Sequence, residues 1–240
     1  MAAPLLQTQD LSMHFGGVRA VRHVNFSLAE GELRCLIGPN GAGKSTFFKM
    51  LTGQLEPTHG QVLFRGQDIS HAHAHDIARL GIGIKTQVPS VFDGLSVREN
   101  IWLAASRLYS GEKARRAVDE MLERVGLTDT AERLVGQLAH GQRQWVELGL
   151  VLATDPQLIL LDEPAAGMTH EEVNKTAELV REINRTKALI VVEHDMQFIR
   201  MIARTVTVFH QGRVLMEDTV DAVLRDGRVR DVYLGKKVAA

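Results

Sequence analysis

Gly38-Pro39-Asn40-Gly41-Ala42-Gly43-Lys44-Ser45-Thr46 is the stretch on which the fold turns. It fits G-x-x-x-x-G-K-[ST], the pattern of a loop that holds nucleotide phosphates. Gly41 and Gly43 let the backbone bend so that successive N–H groups face inward. Gly38, Asn40, Ala42 and Thr46 complete the cradle. Lys44 reaches the β- and γ-phosphates as a point charge, and Ser45 offers a hydroxyl to Mg²⁺. A helix starting near Lys44 adds its positive dipole end. The flanks agree: Leu33-Arg34-Cys35-Leu36-Ile37 reads as a short buried strand and Phe47-Phe48-Lys49-Met50-Leu51 as the start of a helix. Strand, loop and helix in that order are the context the pattern needs. The bland alternative is a glycine turn with no ligand.

Outward from this loop, apolar runs with β-branched residues predict strands at about 5–11, 20–28, 33–37, 61–65, 82–86, 157–162, 188–193, 205–209 and 213–217. Several are followed by helical patterns, which argues for an α/β fold with a mainly parallel sheet covered on both faces. The first two strands and Val62–Phe64 have turn-like links and are expected to form a separate antiparallel layer. Residues from about 96 to 153 read instead as consecutive helices, opened by the capping box Ser96-Val97-Arg98-Glu99. The expected architecture is one domain over residues 1–240. Its core is about 1–90 and 154–240, with a helical insertion at about 91–153.

Composition adds bounds. The 240 residues are 45% hydrophobic and carry 28 basic and 29 acidic side chains, so neither nucleic acid nor an anionic membrane surface is favoured as the main partner. The single cysteine, Cys35, sits in an apolar strand and reads as a core residue. The start, Met1-Ala2-Ala3-Pro4-Leu5-Leu6, lacks the marks of a signal peptide, and no apolar run is long enough to span a bilayer. His71-Ala72-His73-Ala74-His75 suggests a metal site, but no set of Cys or carboxylate at ligand spacing accompanies it, so a solvated loop is expected.

A second constellation is Leu158-Ile159-Leu160-Leu161-Asp162-Glu163-Pro164, an apolar strand ending in two acids. In open α/β sheets the C-terminal ends of strands border the ligand crevice. Asp162 would hold Mg²⁺ there, and Glu163 would orient or deprotonate an attacking water.

In these two constellations the chain resembles the ATP-binding cassette (ABC) ATPases, whose core is a P-loop, RecA-like NTPase fold. Gln87 matches the Q-loop glutamine, which the resemblance places on Mg²⁺ or water. Leu138-Ala139-His140-Gly141-Gln142 stands where the family signature stands, and His194 in Val191-Val192-Glu193-His194-Asp195 matches the switch histidine at the γ-phosphate. Phe15 occupies the adenine-stacking position. In the family, the signature of one subunit caps the ATP of the other. The resemblance therefore assigns Ala139, His140, Gly141 and Gln142 to nucleotide across an interface.

The commoner signature reads Leu-Ser-Gly-Gly-Gln, so Ala139 lacks a hydroxyl that the pattern would aim at the γ-phosphate. His140, or the start of the following helix, would have to compensate. Ala165-Ala166-Gly167-Met168-Thr169 also departs from the usual D-loop. Thr169-His170-Glu171-Glu172 is a capping box, and a plain helix cap and a role in communication between sites remain equal alternatives. The departures, together with Val232-Tyr233-Leu234-Gly235, resemble importer ATPases for branched-chain amino acids and urea. Gln144-Trp145 and Glu193-His194-Asp195-Met196 lean to the urea type.

The resemblance implies an ATPase using ATP and Mg²⁺ on the cytoplasmic face of the inner (plasma) membrane. Its partners would be separate permease subunits, a second ATPase subunit and, indirectly, a periplasmic solute-binding protein. The helical insertion and the loop after Gln87 (Val88-Pro89-Ser90-Val91-Phe92) would form the permease groove. The alternatives are a soluble ABC ATPase acting on DNA or ribosomes, and a regulatory ATP-binding subunit with little turnover.

Overall fold

The computed structural model describes residues 3–87 and 90–233. Its main sheet has six strands in the order β10-β9-β3-β8-β7-β6. The strands β3 (Leu33–Ile37), β6 (Ile82–Lys85), β7 (Leu158–Asp162), β8 (Ala188–Val192) and β9 (Thr205–His210) run parallel. The edge strand β10 (Arg213–Thr219) returns antiparallel to β9 through Gln211-Gly212. A second, antiparallel sheet has the order β2-β1-β4-β5, from β1 (Leu6–Phe15), β2 (Val18–Leu28), β4 (His59–Phe64) and β5 (Gln67–Asp68). Both expected layers are present. The two-residue β5 has too few residues to show an alternating pattern, and the sequence gives no sign of it.

Burial on both faces explains why the parallel strands read as unbroken apolar runs. Leu33, Cys35 and Ile37 of β3 join a core with the helices, while Leu36 points the other way into a core with the antiparallel sheet. Along β7, Ile159 and Leu161 face the helices, and Leu158 and Leu160 face the second sheet. Cys35 is fully buried, as expected, and burial pushes its thiol pKa up.

Between β6 and β7, no strand occurs among the described residues. The chain there forms α3 (Val97–Ala105), α4 (Gly111–Arg124) and α5 (His140–Ala153). The Ser96 cap accepts from the Glu99 N–H and the Glu99 side chain returns to the Ser96 N–H, so the expected box forms. α5 begins at His140, with Ala139 in the cap position. The remaining helices are α1 (Lys44–Leu51), α2 (Ala74–Arg79), α6 (His170–Asn184), α7 (Met196–Ile202), α8 (Val220–Arg225) and α9 (Gly227–Tyr233). The Thr169–Glu172 box caps α6. His71, His73 and His75 are exposed, with His71 on Glu56 and His75 beside Asp76. Among the described residues no group of three or more His, Cys, Asp or Glu is placed to hold a metal. None of their helices is long and apolar enough to cross a membrane. Met1, Ala2, Val88, Pro89, Leu234 and Gly235 of the motifs above lie outside the described residues.

Candidate active site

The phosphate loop is wedged against its neighbours. A Cβ on Gly38 (φ 147°) would stand 2.2 Å from the Phe209 carbonyl oxygen, and one on Gly43 (φ 103°) 2.5 Å from that of Ala20. Only glycine fits either place, so two glycines are set by the packing of β9 and β2 as much as by any ligand. α1 starts at Lys44, directly after this turn. Its ammonium donates to the Gly38 carbonyl at 2.6 Å and the Pro39 carbonyl at 3.1 Å. Lys44 is half-buried. Burial pulls its pKa down, and the charges of Glu163 and Asp162 work against that pull.

β7 delivers the two acids. Burial pushes the Asp162 carboxyl up, the neighbouring Glu163 charge adds to this, and Lys85, Lys44 and Lys49 oppose it. Immediately after the strand the backbone turns left-handed at Glu163 (φ 45°), held by a bond from its N–H to the Val192 carbonyl at 2.9 Å. A non-glycine residue in this region is uncommon and clusters at functional sites. The turn brings the Glu163 carboxylate between two other elements. Gln87 Nε2 donates to one oxygen at 2.9 Å, and His194 Nδ1 lies 3.3 Å from the other. Gln87 follows β6 and His194 follows β8, so the two flanking parallel strands and β7 converge on one carboxylate.

Lys44, Gln87, Asp162 and Glu163 border a cleft of about 680 Å³, within the range of small-molecule sites, and His194 stands outside its lining. Phe15, Asn40, Gly41, Ala42, Gly43, Lys44, Ser45, Thr46, Gln87, Asp162 and Glu163 line it. Phe15 stands at the tip of the β1–β2 hairpin and is 46% exposed, free to meet a planar ligand. The donor set of a hydroxyl (Ser45), an amide (Gln87) and one carboxylate (Asp162) is all hard oxygen. It suits Mg²⁺, which takes few protein ligands beside phosphate.

Arg19 and Arg22 of β2 and Gln211 of the β9–β10 turn also line the cleft. The sequence reading missed them because they reach the site only by tertiary packing and carry no local pattern. It also gave Glu193 no role. Glu193 is buried, accepts the Ala165 N–H with one oxygen at 3.3 Å, and takes the His194 and Asp195 N–H groups with the other at 3.0 and 3.4 Å. It thus fixes the segments after β7 and β8 relative to each other, and burial pushes its pKa up. A buried acid at the end of an apolar strand was the available signal.

Ala139, His140, Gly141 and Gln142 do not line this cleft. They form the start of α5, where Gln142 Oε1 accepts the Ala139 N–H at 3.2 Å. With alanine at the cap, no side chain returns the bond to the first helical N–H groups. The His140 imidazole Nε2 lies 3.1 Å from the Ala166 carbonyl and 3.2 Å from Gln144 Nε2. Gly141 is packed so that a Cβ would meet the Glu172 carboxylate at 2.3 Å.

The sequence profile of the ABC transporter family matches residues 21–166. The high-affinity branched-chain amino acid transport ATP-binding protein LivG of Escherichia coli K12 is 35% identical over 254 residues, covering 98% of this chain and 100% of LivG. The chain belongs to the ABC transporter family. Solved cassettes of the family share its architecture. MJ1267, an ATP-binding cassette of an ABC transporter, superposes with a TM-score of 0.89 at 26% identity, covering 97% of this chain and 99% of that one. The dimeric structure of the bacterial cassette MJ0796 matches with a TM-score of 0.81 at 26% identity, covering 90% and 98%. The expected cassette fold and ATPase class therefore stand.

Proposed function

We propose that this cassette hydrolyses ATP in the Lys44 cleft to power an importer whose permeases are separate chains. One observation carries the reading: Glu163 is held between Gln87 and His194 at the mouth of the phosphate-loop cleft. Residues 1–240 act as one cassette, with core residues of about 1–90 and 154–240 and a helical part of about 91–153. Lys44 and the loop N–H groups bind the phosphates, and Phe15 stacks on adenine. Ser45, Gln87 and Asp162 would hold Mg²⁺, which would neutralise phosphate charge there. Glu163 orients the attacking water and takes its proton, and His194 donates to the γ-phosphate.

The position of Ala139–Gln142 outside their own cleft supports a head-to-tail pair in which each signature caps the other subunit's ATP. The dimeric MJ0796 cassette supports pairing as such. The second subunit is proposed to be a different cassette. The permease would seat in a second groove, of about 910 Å³, between β6 and the helices α3 and α5. Arg79, Ile84, Ser90, Arg107, Leu108 and Leu150 line that groove, and Phe92 and Trp102 are exposed large apolar side chains of the same helical region. On this reading the cassette works at the cytoplasmic face of the inner membrane. The solute is a branched-chain amino acid, as in LivG's name, or a short amide such as urea, towards which Gln144-Trp145 leans.

Affinity purification from native membranes tests the assignment. Recovery of an integral-membrane permease with a second cassette is the expected result. Ribosomes or DNA in its place would support the soluble alternative and contradict the importer.

A further inference from the structure

The side chains of Lys85 and Glu147 are 1% and 5% exposed, and their charged ends lie 3.8 Å apart. They belong to different layers. Lys85 is the last residue of β6, and Glu147 stands about two turns into α5, the helix whose first turn carries the signature. Both charges are held out of water, which costs each of them solvation. Two apolar side chains of similar volume would join these layers as firmly or more so, which makes the pair poor glue. What a charged pair adds is a defined position.

The remaining bonds of Glu147 show what is being positioned. Its Oε1 accepts the Ser90 N–H at 3.1 Å and the Thr86 hydroxyl at 3.4 Å. Lys85 donates to the Thr86 carbonyl at 3.3 Å. Thr86 and Ser90 stand on either side of Gln87, whose amide donates to Glu163 at 2.9 Å. The other Glu147 oxygen has no hydrogen-bond donor among the described residues, so the Lys85 ammonium is its charge partner. A route runs from α5 through the Glu147 carboxylate to Thr86, the neighbour of Gln87, and from Gln87 on to Glu163. Neither Lys85 nor Glu147 lines the phosphate cleft.

We infer that Lys85 and Glu147 are positioning residues that set Gln87 against Glu163 according to where the signature helix α5 stands. This rests on the roles proposed above for Gln87 and Glu163. A shift of α5 moves the Glu147 carboxylate, and with it the two anchors of the Gln87 segment. Without the pair, ATP still binds but Gln87 is no longer held in register with Glu163.

The test is steady-state ATPase kinetics on the complex purified from membranes through a tag on this chain, with the partner's site inactivated in every preparation, the reference included. Glu147→Gln and Lys85→Met are expected to lower kcat by on the order of tenfold to a hundredfold, the scale of an ångström-sized misplacement, while KM for ATP stays within about twofold. Lys85→Arg keeps the charge and should restore most of the activity lost in Lys85→Met. The double variant Lys85→Met/Glu147→Leu removes both charges, so it is expected to melt at or above the wild-type temperature yet keep the kcat defect. A folded double variant with kcat within about threefold of wild type overturns the inference, because packing alone would then suffice. If the single variants fail to fold, the double variant still decides. Glu163→Gln in the same complex separates the two levels. Loss of activity there with a normal double variant sinks only the positioning role, whereas activity surviving Glu163→Gln sinks the site reading beneath it.

Discussion

Lys44→Ala isolates the charge proposed to bind phosphate, and the geometry sets the size of its effect. The ammonium makes two hydrogen bonds, to the Gly38 and Pro39 carbonyls, and phosphate oxygens would take over those donors. Two bonds from a charged donor, at about 1.5–3 kcal/mol each, amount to about 3–6 kcal/mol, or roughly 10²–10⁴-fold in ATP affinity. Stability without nucleotide should change far less. Burial opposes the Lys44 charge, so its removal relieves desolvation while two bonds are lost. A net change near 1 kcal/mol would shift Tm by about 2–4 °C in a chain of this size. Thermal melting with and without ATP reads both effects. At an ATP concentration 100 times the wild-type Kd, nucleotide adds about 2.7 kcal/mol, or about 5–11 °C. At that same concentration the variant should gain no more than about 1–2 °C. An ATP shift equal to wild type, or near-normal ATPase, would refute the assignment of Lys44.

Other outcomes follow from particular contacts. Ala139→Ser supplies the missing cap on α5, so it should raise stability by about 0.5–2 kcal/mol, read as Tm. In the assembled complex it should alter turnover of the partner's ATP and leave binding at Lys44 unchanged. An effect confined to this chain's own nucleotide would contradict the head-to-tail pair. Glu193→Gln should show a pH signature. Burial raises the Glu193 pKa above its ordinary 4.5, so the stability its proton contributes is fully present below 4.5 and lost as pH rises through the raised value. The amide variant has no such proton. Its Tm relative to wild type should therefore climb as pH rises above 4.5, and a flat offset would refute the burial argument.

The legible parts of this molecule were those whose function is local in sequence. The phosphate loop, the acid-ended strand β7 and both capping boxes each lie within a few residues, and each forms as expected. Parallel strands announced themselves as continuous apolar runs because both faces are covered. What stayed hidden depends on contacts between distant segments. Arg19, Arg22 and Gln211 reach the cleft only when the β1–β2 hairpin folds over the phosphate loop and β10 turns back along β9. The Lys85–Glu147 pair joins residues 62 positions apart, and either one alone reads as an ordinary surface charge. Glu193 was visible as an acid beside His194, but its three backbone N–H partners come from two separate segments. The left-handed turn at Glu163 has no sequence mark either, since glutamate gives no hint of a positive φ.

The proposed base for ATP hydrolysis is Glu163, held between Gln87 and His194. The direct measurement is ATP turnover by the purified complex carrying Glu163→Gln in this chain, with the partner's site inactivated in both the test and the reference. The amide keeps the shape and cannot accept the proton, so turnover at this site should fall by about 10²–10⁴-fold while ATP still binds and the ATP-driven pair of cassettes persists. Hydrolysis within about threefold of the reference would show that Glu163 is not the base and would contradict the account.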